Sequence, residues 1–144
     1  MMKLGPLLLR YQVAAISLLL ASVFIFAGLD KMRDPLQFAD SVAGFGILPT
    51  FLIIPFALGL PPFEVLFGLM TIAPRTRRVA ALALTLVTAM FFIALASALA
   101  RGLTLDCGCF GVGAPSRPRM WLEATLDVVL FGASAFVYLR SIDH

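Results

Sequence analysis

The chain has 144 residues, 61% of them hydrophobic and only 13% charged, where a soluble domain carries roughly 45–50% apolar and about 25% charged residues. That balance excludes a soluble globular fold and a disordered chain, and two cysteines are too few for a disulfide-stapled secreted scaffold. The net charge of +3 comes from basic residues set between long uncharged stretches, a topology pattern rather than a nucleic-acid surface, so no nucleic-acid partner is expected.

In chain order, residues 11–29 form the first uncharged stretch, bounded by Arg10 and Asp30. It is longer than a typical signal-peptide core and no Ala-x-Ala site follows near residues 20 to 30, so a retained helix is expected. Next, Leu36, Phe38, Ala39, Val42, Ala43 and Phe45 alternate with Gln37, Asp40 and Ser41, the spacing of a short amphipathic helix at the outer membrane interface. A second span follows over about 47–73, interrupted only by Glu64. Pro49, Pro55, Pro61 and Pro62 punctuate it, and proline removes a backbone donor, so a kink or break is expected near Leu60-Pro-Pro62. Residues 79–100 form the third span. Residues 120–139 form the fourth, with Glu123 and Asp127 in its first two turns.

About 20 apolar residues cross the hydrocarbon core, and none of these stretches shows the alternation of a membrane β-strand. The expected fold is therefore an all-α integral membrane protein. It is one domain over residues 1–144, a four-transmembrane-helix bundle with a kinked second helix and a short outer interfacial helix. Membrane lipid is its first expected partner. The Arg75-Thr-Arg-Arg78 cluster lies in a very short loop and shares its side with Lys3, Arg10 and Arg140. That side is expected to be cytoplasmic, with both termini, which leaves loops 30–46 and 101–119 outside. Tyr11 and Tyr138 then mark the inner interface and Trp121 the outer one.

Chemistry concentrates in Leu105-Asp-Cys-Gly-Cys-Phe-Gly111. A bridge between Cys107 and Cys109 closes almost no loop and stabilises little. It is strained, and strained bridges are the oxidising, exchangeable ones. Asp106 disfavours a thiolate at Cys107, whereas Arg101, Arg117, Arg119 and the start of the fourth helix favour one. Zinc lacks ligands, because the only histidine is the distant His144. The same two thiolates suit a two-coordinate soft ion such as Cu(I) or Hg(II), and two inert thiols are a third reading.

Glu64 lies deep in its span, where an unpaired charge costs a few kcal/mol. Either it caps a helical segment that restarts after Pro61-Pro62, or it faces the bundle interior as a proton-handling group. Glu123 and Asp127 share one helix face and are either helix-start acids or functional ones. Asp30, Lys31 and Arg33 close the first span, as interfacial anchors or as partners of those acids.

At these residues the sequence resembles the MauE branch of the DoxX-like membrane proteins, named for methylamine utilisation. The likeness runs through Phe26-Ala-Gly-Leu-Asp-Lys31, Asp34-Pro35, Leu48-Pro49, Leu60-Pro-Pro-Phe-Glu64 with Gly68, and Asp106-Cys-Gly-Cys-Phe-Gly111 before Trp121. Where relatives often carry an arginine before the acid of the last helix, this chain has Leu126 before Asp127. The resemblance implies a four-helix bundle in a bacterial inner membrane with a periplasmic Cys-Gly-Cys loop. It implies maturation of a disulfide-rich client alongside a thioredoxin-like partner, and quinone-coupled chemistry in the wider group. On this reading Cys107 and Cys109 exchange disulfides, Glu64 or Asp127 handles protons, and a quinone sits near Glu64, Glu123 and Trp121. The alternatives are a soft-metal binding or transport protein and a non-catalytic assembly factor.

Overall fold

The computed structural model describes residues 4–105 and 116–142. The Cys-Gly-Cys segment, with the expected Asp106, Cys107 and Cys109, lies outside the described residues, as does His144. Five helices account for most of the rest: α1 (Leu4–Arg33), α2 (Pro35–Phe45), α3 (Thr50–Met70), α4 (Arg77–Ala100) and α5 (Arg117–Arg140). All but α2 are long and apolar enough to cross a membrane, matching the four expected spans. α1 overshoots its expected bounds at both ends. Its 30 residues measure roughly 45 Å at 1.5 Å per residue, more than the hydrocarbon core requires.

α2 begins where Asp34 accepts a hydrogen bond from the Gln37 amide at 3.0 Å, with Pro35 in the first turn. It ends at Gly46, whose φ of 63° a side chain would strain. Its apolar face packs on protein: Phe38, Ala39 and Val42 join Ala57, Leu60 and Val87 in one core cluster. The expected amphipathic helix is therefore present, with its apolar stripe turned against α3 and α4.

α3 runs unbroken through Pro55, Pro61 and Pro62, which excludes a helix break at Leu60-Pro-Pro62. The close partner of this stretch is α1. A Cβ on Gly28 would come within 2.7 Å of Val65 Cγ2 and 2.8 Å of the Pro61 carbonyl oxygen. One on Gly68 would sit 3.3 Å from both Ile25 and Phe24. Two glycines, one from each helix, thus let the backbones approach, the small-residue device that packs helices where water offers no hydrophobic drive.

The two ends of the bundle close differently. At the end reached by α4's C-terminus, Arg101 donates to the Phe45 carbonyl, and the Leu105 amide donates to Met120 Sδ at 3.4 Å. Phe45, Leu95, Ala98, Met120 and Ala124 form the core there. At the opposite end, Arg77 donates to the carbonyls of Thr71 and Ile72 at 3.0 and 3.1 Å, and Thr76 donates to Met70 at 2.8 Å. These bonds satisfy the carbonyls that the end of α3 leaves open.

Candidate functional site: a buried ion pair beside two helix acids

Gly28 and Lys31 stand three residues apart on α1, hence on one face. The contact that seats Gly28 between Pro61 and Val65 delivers Lys31 to Glu64, which lies between those two positions. Lys31 Nζ donates to both carboxylate oxygens, at 3.0 Å and 2.8 Å, with each side chain 2% exposed. The ammonium also lies 5.4 Å from the Phe38 ring centroid and 5.2 Å from that of Phe91, within range of both π-faces. Four elements therefore converge on one cation: α1 carries it, α3 supplies the carboxylate, and α2 and α4 supply the rings.

Asp127 of α5 completes the group. It is buried and lies in the electrostatic field of Lys31, Glu64 and Glu123. With Lys31, Glu64, Thr88 and Phe91 it lines a cavity of about 20 Å³, the room for roughly one water molecule. Thr88 spends its hydroxyl proton on its own helix, at the Leu84 carbonyl 2.9 Å away. One turn nearer the start of α5, Glu123 accepts from Arg119 at 3.2 Å. Its other oxygen, Oε2, is buried with no hydrogen-bond partner among the described residues.

Glu64, Glu123 and Asp127 are thus all interior groups. Glu64 is not a capping residue, because no helix starts at Pro61: it sits mid-helix and answers a lysine. Lys31 is not an interfacial anchor, because it is 4% exposed. Its neighbours do behave as anchors: Asp30 and Arg33 approach each other at 4.0 Å, with Arg33 80% exposed. Trp121 stands apart from the acids, 63% exposed on the outer face of α5. Phe38 and Phe91 are members that the sequence did not mark as site residues, and Lys31, expected as an anchor or as a partner of Glu123 and Asp127, pairs with Glu64. The signal for the pair was present: a carboxylate inside a span demands a cation, and Lys31 closes the preceding span.

The cavity that Glu64 lines has room for about one water molecule. A neighbouring chamber of about 200 Å³ is lined by Phe38, Val42, Phe45, Ile47, Leu48, Phe56, Met90, Phe91 and Ala94. None of those side chains offers a hydrogen-bond donor. Among the described residues no group of three or more His, Cys, Asp or Glu side chains could hold a metal ion.

Together these features define a multi-pass helical membrane protein whose bundle is keyed by a buried ion pair and further acids. The sequence profile of the methylamine utilisation protein MauE matches residues 9–140, and the chain belongs to the MauE family. A MauE from Methylorubrum extorquens is 35% identical over 132 residues, covering 88% of this chain and 68% of the relative. One from Paracoccus denitrificans is 33% identical over 117 residues, 81% of this chain and 62% of the relative. A third, from Methylophilus methylotrophus, is 36% identical over 94 residues, 65% of this chain and 50% of that protein. The matched regions thus span between half and about two thirds of the curated relatives' own length. No solved structure matches the chain.

Proposed function

We propose that this protein serves methylamine utilisation as a membrane thiol–disulfide exchange protein, with Cys107 and Cys109 as the exchanging pair on the periplasmic side of a bacterial inner membrane. The observation that carries the reading is the Cys-Gly-Cys run itself, between two segments pinned at one end of the bundle. Leu105, two residues before Cys107, bonds to Met120 near the start of α5. The described segments that flank the run in sequence, ending at Leu105 and resuming at Ser116, thus meet at one end of the bundle, which supports a role for the pair at that end.

The exchange balances between proteins. A thiolate of the reduced pair attacks a thioredoxin-like partner's disulfide, forming a mixed disulfide and releasing the partner's second thiolate. The other cysteine resolves it, which leaves the partner as a dithiol and this chain with the Cys107–Cys109 bridge. That bridge, strained by its one-residue spacing, then oxidises two thiols of a disulfide-rich client and returns to the dithiol. Two electrons pass from client to partner with no further carrier. In this reading Glu123 and Asp127, about two and three turns into α5, exchange protons with groups at that end of the bundle. Lys31 and Glu64 hold the helices that present them.

The test is function in a strain that depends on this chain for methylamine-dependent growth. Cys107→Ser and Cys109→Ser should each abolish growth while the protein remains in the membrane. Full growth with both variants would overturn the reading.

A further inference from the structure

At the end of the bundle opposite the Cys loop, the ends of α1, α4 and α5 enclose a cavity of about 440 Å³. Arg10, Arg75, Arg77, Arg140 and Ser141 line it. No carboxylate does, and none of these arginines has an Asp or Glu within ion-pair distance among the described residues. Arg77 has two guanidinium nitrogens on the carbonyls of Thr71 and Ile72, which fixes its plane. Arg140 lies over the Phe136 ring at 5.6 Å. Two of the four cations are therefore held by the fold rather than trailing in solvent. Asp143, three residues after Arg140 in the sequence, lies outside the described residues.

Four guanidinium groups around one hollow repel one another unless an anion sits among them. Guanidinium forks match the oxygens of a phosphate, bidentately where geometry allows. The rest of the lining is apolar, with Leu9, Val13 and Ala14 of α1 and Pro74 of the α3–α4 loop. A polar mouth beside an apolar wall at a membrane surface fits a phosphate that carries acyl chains.

We propose that this cavity is a binding site for a phosphate oxyanion, supplied by the headgroup of an anionic phospholipid. Arg10, Arg75 and Arg140 would grip the phosphate around the fixed Arg77. The site is independent of the cysteine chemistry, and its loss leaves the exchange reading untouched.

The test uses the full chain, purified in detergent and titrated with phosphatidylglycerol, with bound lipid read by native mass spectrometry. A second arm titrates inorganic phosphate by calorimetry. Phosphatidylglycerol should be retained against a phosphatidylcholine control. Arg75→Gln and Arg140→Gln should each weaken retention about fivefold, the effect of one cationic side chain near an anionic surface. Arg78→Gln removes the same charge from the same end without lining the cavity, and should leave retention unchanged. Equal weakening by Arg78→Gln would show a diffuse basic surface and overturn the site. Binding of inorganic phosphate as tight as that of lipid would overturn the lipid as source while retaining the oxyanion site. Absence of both, in the wild type and in Asp143→Asn, would overturn the proposal whole.

Discussion

The two halves of this bundle use charge in opposite ways. In the half nearer α4's C-terminus, ion pairs reach into the interior: Lys31 with Glu64 at 2.8 Å, both buried, and Arg119 with the buried Glu123 at 3.2 Å. At the Arg75 end they are mostly exposed and answered by no described carboxylate. Arg77 spends its donors on backbone carbonyls, and Arg78 and Arg140 lie over the Tyr138 and Phe136 rings. A buried charge is tolerated only with a partner held in place, so it commits several helices to one arrangement. An exposed arginine at a membrane surface needs no carboxylate of the chain itself to fold and commits its helices to little beyond orientation. The first half is therefore sensitive to substitution and the second permissive.

The largest effect should come from Lys31→Met, which strands the Glu64 carboxylate in the bundle. Breaking a buried pair from one side costs about 3–5 kcal/mol, and unfolding in mixed micelles should show a loss of that size. Lys31→Met/Glu64→Met removes both charges and should regain most of the loss. A single variant as stable as wild type would break the contrast between the halves.

Gly28→Ala comes next. The added methyl meets Val65 and the Pro61 carbonyl below 3 Å, and overpacking of this kind costs about 1–3 kcal/mol. It should also loosen the Lys31–Glu64 pair, read as faster acylation of Lys31 by a small amine-reactive ester. Gly59, with open space around it, is the control: alanine there should leave that reaction rate unchanged.

Glu123→Gln should cost less, about 1 kcal/mol or below, because one amide oxygen still accepts from Arg119 and Oε2 forfeits no bond. The same unfolding assay reads it. Smallest of all is Arg75→Gln. It alters an exposed side chain in the loop between α3 and α4, and the unfolding midpoint should not move.

The sequence revealed the spans because hydropathy is a local sum: an uncharged run of sufficient length needs no knowledge of its neighbours. The α2 stripe was legible for the same reason. Its destination was not, since the face that reads as lipid-seeking is equally suited to α3 and α4. Pro61 and Pro62 pointed to a kink or break near Leu60. The structure excludes the break, because α3 remains helical beside α1, which lies against the Pro61 carbonyl through Gly28. The acids Glu64, Glu123 and Asp127 stood out as charges inside apolar runs. Lys31 was legible as an anchor or a partner for acids, but its pairing with Glu64 was not, because its burial depends on a glycine one turn earlier and on helices still to come in the chain. Pairing between distant segments is set by packing, and hydropathy does not carry it.

The central claim is that Cys107 and Cys109 exchange disulfides with a periplasmic partner, and a covalent trap tests it most directly. With the resolving cysteine replaced by serine, the first exchange cannot be completed. Membranes from cells carrying Cys107→Ser or Cys109→Ser should be quenched with acid and alkylated, then run without reductant. One of the two variants should migrate as a discrete adduct with a thioredoxin-fold protein, and the adduct should collapse on addition of dithiothreitol. The absence of any dithiothreitol-sensitive adduct in both variants, with wild-type cysteines that never change redox state, would contradict the account.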